Sequence, residues 1–580
     1  MTQRSMTTPV DPAPLRAALR PPPNAQRRRL VVTALILAAL FLAALWNTNF
    51  TPWNVFGRLD SIRDLLERLV PPNFTDWRRY VQAVVETLWM VTAGTAIAVV
   101  IAIPLAVCAA RNTTTGPVAY SIARFVITLT RAIPSLVLAL LFVRAIGVGP
   151  TAGVLAMGFS SVGMIGKFFA DRIEEIDEGI VEASRATGAT RLQTFVAAVL
   201  PQVASNWISL GLYRFDINLR NAVILGFVGA GGIGFELQRV LGQMVYTRVL
   251  AIALIIFVLV LLVEQLSAIA RTAILGSSAP ARHNPFSVRA RLKSTRAPVS
   301  TSTHATSALT IPVRPARRGG PIRAGWGPDR LTRWILGWSA LALILTSFLM
   351  LRLGPGEIGV ALREIGPYLL GMFPPDFLTN LAPHLSLMLE TLSMALAAAT
   401  LGLILALPVG IIAAKNATFH PVAARLSRLL TLVVRGIPDL MLAILLVVAV
   451  GLGPLAGVLA LTIGAIGFTG KLIADAIEDT DLSRTTEALD AVGAGWLQRT
   501  VTSTIPTAFP AIIGAGLFTF DVFVRSATIM GVVGAGGIGL ALDASIRGRQ
   551  LDQTLALIIM ILLTVYATER LSVWLRKQVL

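Results

Sequence analysis

The chain has 580 residues, 55% of them hydrophobic and 14% charged, with a mean hydropathy of +0.72 and a formal net charge of +19. A soluble protein of this length carries about a quarter charged residues. The apolar runs here reach the roughly 20 residues that a bilayer-crossing helix needs, and the short alternating segments of a membrane barrel are missing. These features exclude a soluble enzyme and predict an all-α polytopic membrane protein. The lone cysteine, Cys108, rules out an internal disulfide and a cysteine metal cluster. The four histidines, His283, His304, His384 and His420, are scattered without metal-ligand spacing.

Residues 1–29 are rich in Pro and Arg, with Arg4, Arg16, Arg20, Arg27, Arg28 and Arg29 against Asp11. They are expected to form a basic, disordered cytoplasmic tail. The first apolar run starts near Leu30 with no small-residue cleavage site behind it, so it reads as a span over about 30–47 and not as a signal peptide. Residues 48–79 mix Pro, Trp and charge and fit the outer interface. Further spans are expected at about 83–109, 118–145 with Pro134 inside it, 150–169, 203–226 and 248–270. A polar island at about 171–200 interrupts them. These spans make up a first half over 30–270. Residues 271–330 lack a hydrophobic period and read as a basic, disordered cytoplasmic linker, and 331–580 form a second half. The sequence pI is about 11.2. In a soluble chain that value would point to nucleic acid. Here most of the excess charge lies in the tail and linker, which mark the cytoplasmic side and suit anionic membrane lipid, and no nucleic acid is expected.

The second half repeats the first. Glu86-Thr87-Leu88 recurs as Glu390-Thr391-Leu392, Pro104 as Pro408, and Gly147-Val-Gly149-Pro150 as Gly451-Leu-Gly453-Pro454, all offset by 304. From the polar island onward the offset is 305, so one extra residue lies between Glu478 and Glu487. Phe215-Asp216 becomes Phe520-Asp521, and Glu264 becomes Glu569. Six spans per half would put both basic segments and both islands inside, giving about 12 spans as two parallel six-helix repeats related by an axis along the membrane normal.

The islands are the most informative stretches. The first runs Glu182-Ala183-Ser184 to Gly188 and on to Pro201; the second runs Glu487-Ala488-Leu489 to Gly493 and on to Pro506. Each begins with helix formers, places Gly where a turn or close backbone contact is needed, and places Pro at the first turn of the next helix. An ordinary loop would not have kept this spacing in both halves while the surrounding sequence diverged. Gly229-Ala-Gly231-Gly232-Ile-Gly234 and its copy at 534–539 match a dinucleotide fingerprint, but that motif needs a soluble strand–helix unit and a later acid. A tight turn or close helix approach near the outer end of the fifth span fits better. Gly166-Lys167 and Gly470-Lys471 fail the phosphate-loop pattern, because Ser161 and Ala465 stand where its first Gly belongs. The chain therefore has no motif for burning ATP.

The island spacing resembles the EAA loop of ABC importer permeases. Arg131-Ala-Ile-Pro134, Gly166-Lys167 with Asp171 and Glu174, and Arg220-Asn-Ala-Val-Ile-Leu-Gly-Phe-Val-Gly-Ala-Gly-Gly-Ile-Gly234, each with its copy, narrow the resemblance to the phosphonate-type permeases, the PhnE family. The resemblance covers about 80–270 and 385–575, with two permease halves fused in one chain. It departs from the loop pattern at Ser184, Leu489, Ala198, Ser503 and Ile505. It implies a type I ABC importer transmembrane fold in the inner membrane of a bacterium, multi-pass, with both termini cytoplasmic. It also implies Glu182, Ala183, Gly188, Pro201, Glu487, Ala488, Gly493 and Pro506 as the ATPase-coupling residues. The implied partners are an ABC ATPase homodimer, which would bind ATP and Mg, and an extracytoplasmic substrate-binding protein. No cofactor or metal is expected on this chain.

Arg131, Arg435, Arg220 and Arg525 fall in or near spans, where an ionisable group is expensive and marks a functional site by default. Asp216 and Asp521 precede Arg220 and Arg525 by four residues, the spacing of an ion pair on one helix face, and pairing is favoured for them. Arg131 has no acid at that spacing, Arg435 has Asp439 four residues on but beyond Pro438, and each arginine sits three residues before a proline. All six are candidates for the translocation pathway. The function expected is import of phosphonate or a related phosphorus oxyanion such as phosphite or phosphate. The alternatives are a permease for another substrate such as methionine, or a secondary anion transporter, which would need intramembrane carboxylates for coupling. A membrane enzyme has no constellation to support it.

Overall fold

The computed structural model describes residues 24–275, 328–480 and 482–579. The expected basic tail falls mostly outside the described residues, and the expected linker almost wholly so. Every regular element among the described residues is helical.

In the first half, α1 (Asn24–Asn47) is followed by a short turn of helix and the amphipathic α2 (Leu59–Leu69). Next come α3 (Trp77–Ala109), α4 (Pro117–Ala132), α5 (Ser135–Ile146) and α6 (Pro150–Glu174). The half ends with α7 (Glu178–Ala186), α8 (Leu200–Leu225), α9 (Gly232–Gly242) and α10 (Tyr246–Leu275). The second half repeats the order: α11 (Pro328–Met350), α12 (Pro355–Leu370), α13 (Leu381–Ala413), α14 (Pro421–Gly436) and α15 (Asp439–Val450). It continues with α16 (Pro454–Glu478), α17 (Ser483–Ala491), α18 (Ile505–Gly531), α19 (Ile538–Arg547) and α20 (Leu551–Val579). The change of offset lies between α16 and α17, where residues 479–482 stand opposite 175–177.

Pro134 and Pro438 break the third span of each half instead of lying within it. Between α4 and α5 the chain turns by 87°, and between α14 and α15 by 79°. The residue before a proline is pushed out of helical geometry. Ile133 and Ile437 accordingly take extended backbone, at ψ 119° and 122°. Among the described residues, eight helices are long and apolar enough to cross a membrane, and eleven spans result if each of three bent pairs counts as one. The expected twelve is reached only by adding the shorter apolar helix Gly337–Met350.

Small residues let the central helices touch. α3 packs along α6, and α13 along α16, through surfaces rich in Ala and Gly such as Ala93, Ala98, Ala102 and Gly158. Close backbone approach of this kind drives helix association in lipid, where apolar burial alone does not. The two halves are also laced together. α1 packs on α13 of the second half, and α11 packs on α3 of the first. Asn47 Nδ2 donates to Ser393 Oγ at 2.9 Å. The amphipathic helices cross over as well: Leu65 and Leu69 of α2 pack with Ala449 and Val450 at the end of α15, and α12 lies on α5.

Candidate coupling handles and membrane charges

Each island is a short helix ended by a left-handed glycine. α7 opens on Asp177, whose carboxylate accepts the Gly179 N–H at 2.9 Å. Two residues beyond its end Gly188 takes φ +79°, and Gly493 takes φ +73° in the copy, a backbone region in which glycine is at ease and side chains are strained. A Cβ at either glycine would meet nothing within 4 Å, so it is the turn and not crowding that calls for glycine. Thr190 then caps the next helical turn, accepting the Gln193 N–H while Gln193 reaches back to the Thr190 N–H at 2.8 Å. The helix runs on through a π turn at Phe195–Val199 into α8, and the second half does the same at Thr500–Thr504 into α18. The π turns sit just before Pro201 and Pro506, where a missing N–H interrupts the ordinary ladder.

Glu182, Ala183, Gly188 and Pro201 are all exposed, as are Glu487, Ala488, Gly493 and Pro506. One face of α7 is anchored through Val181, buried with Ile173, Ala198 and Val199. Beside the free face, large apolar side chains stand in the open: Leu192 at 73% exposure, with Ile180 and Val196, and in the copy Val492, Leu497 and Val501. Behind each handle lies a buttress. Glu174 accepts the Arg111 N–H at 3.0 Å and Arg124 Nη2 at 2.8 Å. Glu478 accepts the Lys415 N–H at 2.9 Å and Arg428 Nη2 at 2.7 Å. The second handle is tied down more firmly, by Asp490–Arg499 at 2.7 Å and by Trp496 Nε1 donating to the Ala417 carbonyl at 2.6 Å.

The glycine-rich stretches are tight turns, as expected from the sequence. Gly231 and Gly232 take φ +85° and +70° and lead into α9. The helix start is capped from another span: Glu86 accepts the Gly232 N–H at 3.2 Å and Thr87 Oγ1 accepts the Ile233 N–H at 2.8 Å. Glu390 and Thr391 do the same for Gly537 and Ile538. This explains why Glu-Thr recurs in both halves. A Cβ on Gly234 would lie 2.1 Å from the Val223 carbonyl oxygen, so here glycine is required by close approach.

The four arginines singled out in the sequence are all paired. Arg220 meets Asp216 at 3.0 Å, and Arg525 meets Asp521 at 2.9 Å. Arg131 and Arg435 find their partners in the opposite half, and Arg435 does so although Asp439 lies four residues on in sequence. Arg435 Nη2 lies 2.7 Å from Glu264 Oε1, and Arg131 Nη2 lies 3.4 Å from Glu569 Oε1. Glu264 also faces Arg220 at 3.9 Å. The sequence reading missed Glu264 and Glu569 as partners. Their only signal was their shared offset, since the pairs lie 171 and 438 residues apart.

Comparison with known proteins follows the same division into halves. The model of the binding-protein-dependent transport system inner membrane component family matches residues 77–274 and 406–580. The chain belongs to this family. Among its relatives is the phosphate-import permease protein PhnE of Mycolicibacterium smegmatis, 38% identical over 93% of this chain and 92% of that one. The phosphite transport system permease protein PtxC of Stutzerimonas stutzeri is 42% identical over 42% of this chain and 89% of its own length. More distant is a probable D-methionine transport system permease protein MetI of Pasteurella multocida, 28% identical over 33% of this chain and 92% of that one. The chain is thus a phosphonate-type ABC importer permease with the type I transmembrane fold and both halves in one polypeptide.

In this permease the duplicated residues fall into two groups. One group, the islands with Glu174 and Glu478, faces outward from the bundle. The other joins the halves, with arginines from α4 and α14 and glutamates from α10 and α20, while the Asp–Arg pairs lie within α8 and within α18. Arg220 and Arg435 converge on one carboxylate, while Arg131 and Arg525 do not share one within ion-pair distance among the described residues.

Proposed function

We propose that this permease imports a phosphorus oxyanion, namely phosphonate, phosphite or phosphate, by alternating access driven by a separate ATPase. The observation that carries the reading is the pair of exposed handles, each a helix and a left-handed glycine beside bare apolar side chains, together with kinship over nearly the whole length to a phosphate-import permease. An ATPase homodimer binding ATP and Mg²⁺ grips one handle per subunit through Glu182, Ala183, Gly188 and Pro201, and through Glu487, Ala488, Gly493 and Pro506. Closure of that dimer draws the handles together and rocks the halves, opening the path to a loaded extracytoplasmic binding protein. The chain itself makes and breaks no covalent bond. Its work is a shift of population between two packings.

The chain sits in the inner membrane of a bacterium with both termini and the basic segment 271–330 on the cytoplasmic side, in keeping with the charge bias. The halves are taken as 30–270 and 331–580, with residues 1–29 as a basic tail. The membrane charges Arg131, Arg435, Arg220, Arg525, Asp216 and Asp521 line the junction that moves. A secondary transporter would need free carboxylates for coupling. Asp216 and Asp521 are held by arginine, and Glu86 and Glu390 by backbone N–H groups. The methionine reading rests on a relative of lower identity over a third of the chain. The test is uptake into proteoliposomes holding the full complex with its ATPase and binding protein. ATP-dependent uptake of labelled phosphate or phosphite, with none of methionine, is expected. Uptake without the ATPase subunit overturns the proposal.

A further inference from the structure

Four charged side chains are buried among the described residues: Arg214, Asp216, Glu236 and Asp521. The three carboxylates are neutralised. Asp216 pairs with Arg220, Asp521 with Arg525, and Glu236 with Arg79 and Arg239, both at 2.8 Å. Arg214 has no ion-pair partner among the described residues. It lies in the middle of α8 with only 8% of its surface exposed. Its Nε donates to Ser161 Oγ at 2.9 Å and its Nη1 approaches Met164 Sδ at 3.1 Å. Ser161 in turn donates to Asn218 Oδ1 at 3.1 Å, and Asn218 Nδ2 donates to Thr95 Oγ1 at 3.0 Å. A chain of neutral groups thus fixes the guanidinium in place without balancing its charge. Holding an unbalanced cation inside a membrane span is costly.

The second half is an internal control for whether the fold needs this charge. At the four duplicated positions it carries Ala399, Ala465, Thr519 and Phe523 in place of Thr95, Ser161, Arg214 and Asn218. The same three helices pack there around buried Phe523 and Ala465, and Thr519 bonds to Thr469 at 2.9 Å. The architecture therefore closes without the polar chain, and Arg214 is kept for some other reason. It lies six residues before Arg220, about 9 Å along the helix from the charges at the junction of the halves.

We propose that Arg214, with Ser161 beside it, is the anion site of the transport path, one per fused chain, and that its missing counter-charge is the transported oxyanion. The proposal rests on the oxyanion reading above and adds the residue that holds the cargo. A guanidinium offers two parallel N–H groups to two phosphoryl oxygens, a match that lysine and neutral side chains lack. Because Thr519 stands at the equivalent place, the site is single and off the pseudo-axis.

The experiment measures phosphate moved per ATP hydrolysed in proteoliposomes of the full complex, with labelled orthophosphate, for the unaltered chain, Arg214→Met and Arg214→Lys. Co-purification with the ATPase subunit reports folding. Loss of about tenfold or more with methionine, with lysine retaining a clear part, is expected from removal of a charge-assisted contact. Methionine behaving like arginine overturns the proposal, and so does lysine failing as badly as methionine while both assemble. Should the methionine variant not assemble, Arg214→Thr with Ser161→Ala, which copies the second half, is read in its place. If the unaltered complex carries neither phosphate nor phosphite, the oxyanion reading falls and this site falls with it.

Discussion

Glu264 carries two arginines, one from each half, while Glu569 carries one at a longer distance. Removing the Glu264 charge leaves Arg435 without its only ion-pair partner among the described residues, whereas Arg220 keeps Asp216. The side chains of Glu264, Arg435, Glu569 and Arg131 are about a quarter to a half exposed, so these two pairs lie between the surface and buried limits. Glu264→Gln should therefore cost about 1–3 kcal/mol, and Glu569→Gln less, as read from the thermal midpoints of the purified permease. A larger loss at Glu569 would contradict the geometry. The glycines offer a second contrast. Gly234→Ala pushes a methyl against the Val223 carbonyl, while Gly242→Ala, at the other end of α9, meets nothing within 4 Å. The first should destabilise by about 2–4 kcal/mol, and the second should be neutral or slightly stabilising. At this scale the sequence was legible only over short range. Asp216–Arg220 could be read from the four-residue spacing, but Glu264–Arg435 could not, because nothing local records which helix faces which. Arg214 did carry a signal: it is an arginine deep in an apolar run with no acid three or four residues away.

The handles were the most legible elements, since the seven residues from Glu182 to Gly188 hold the last turn of a short helix and the left-handed residue that ends it. The bent spans were the least legible. Hydrophobic periodicity counted 118–145 as one span because apolar runs record length and not direction, and the proline could be read equally as a kink or as a break. Gly188 is open on all sides, so substitutions there separate conformation from contact. Gly188→Ala should cost about 1 kcal/mol from backbone strain alone and leave transport close to normal. Gly188→Trp adds a large ring to the open turn assigned to the ATPase. Transport per ATP hydrolysed should then fall at least tenfold with Gly493 intact, because both handles must be drawn together to rock the halves. Full transport by the tryptophan variant would mean that the handles do not act as a pair.

At the scale of the whole molecule, the duplication was visible in the sequence, but the crossing of the first helices was not. α1 lies against the second half and α11 against the first, so each half is completed by a helix from the other. Two consequences follow for a chain cut between residues 276 and 327, a stretch outside the described helices. The two fragments should co-purify when expressed together, because apolar packing, Asn47–Ser393, Glu264–Arg435 and Arg131–Glu569 all bridge the cut. Removing α1 as well should weaken the second fragment more than the first, since the surface it covers on α13 belongs to that fragment. Proteolysis of the reassembled pair measures this directly. Cleavage should appear first in the second fragment when α1 is missing. If the first fragment opened earlier, the exchange of helices between halves would contribute little to holding the molecule together.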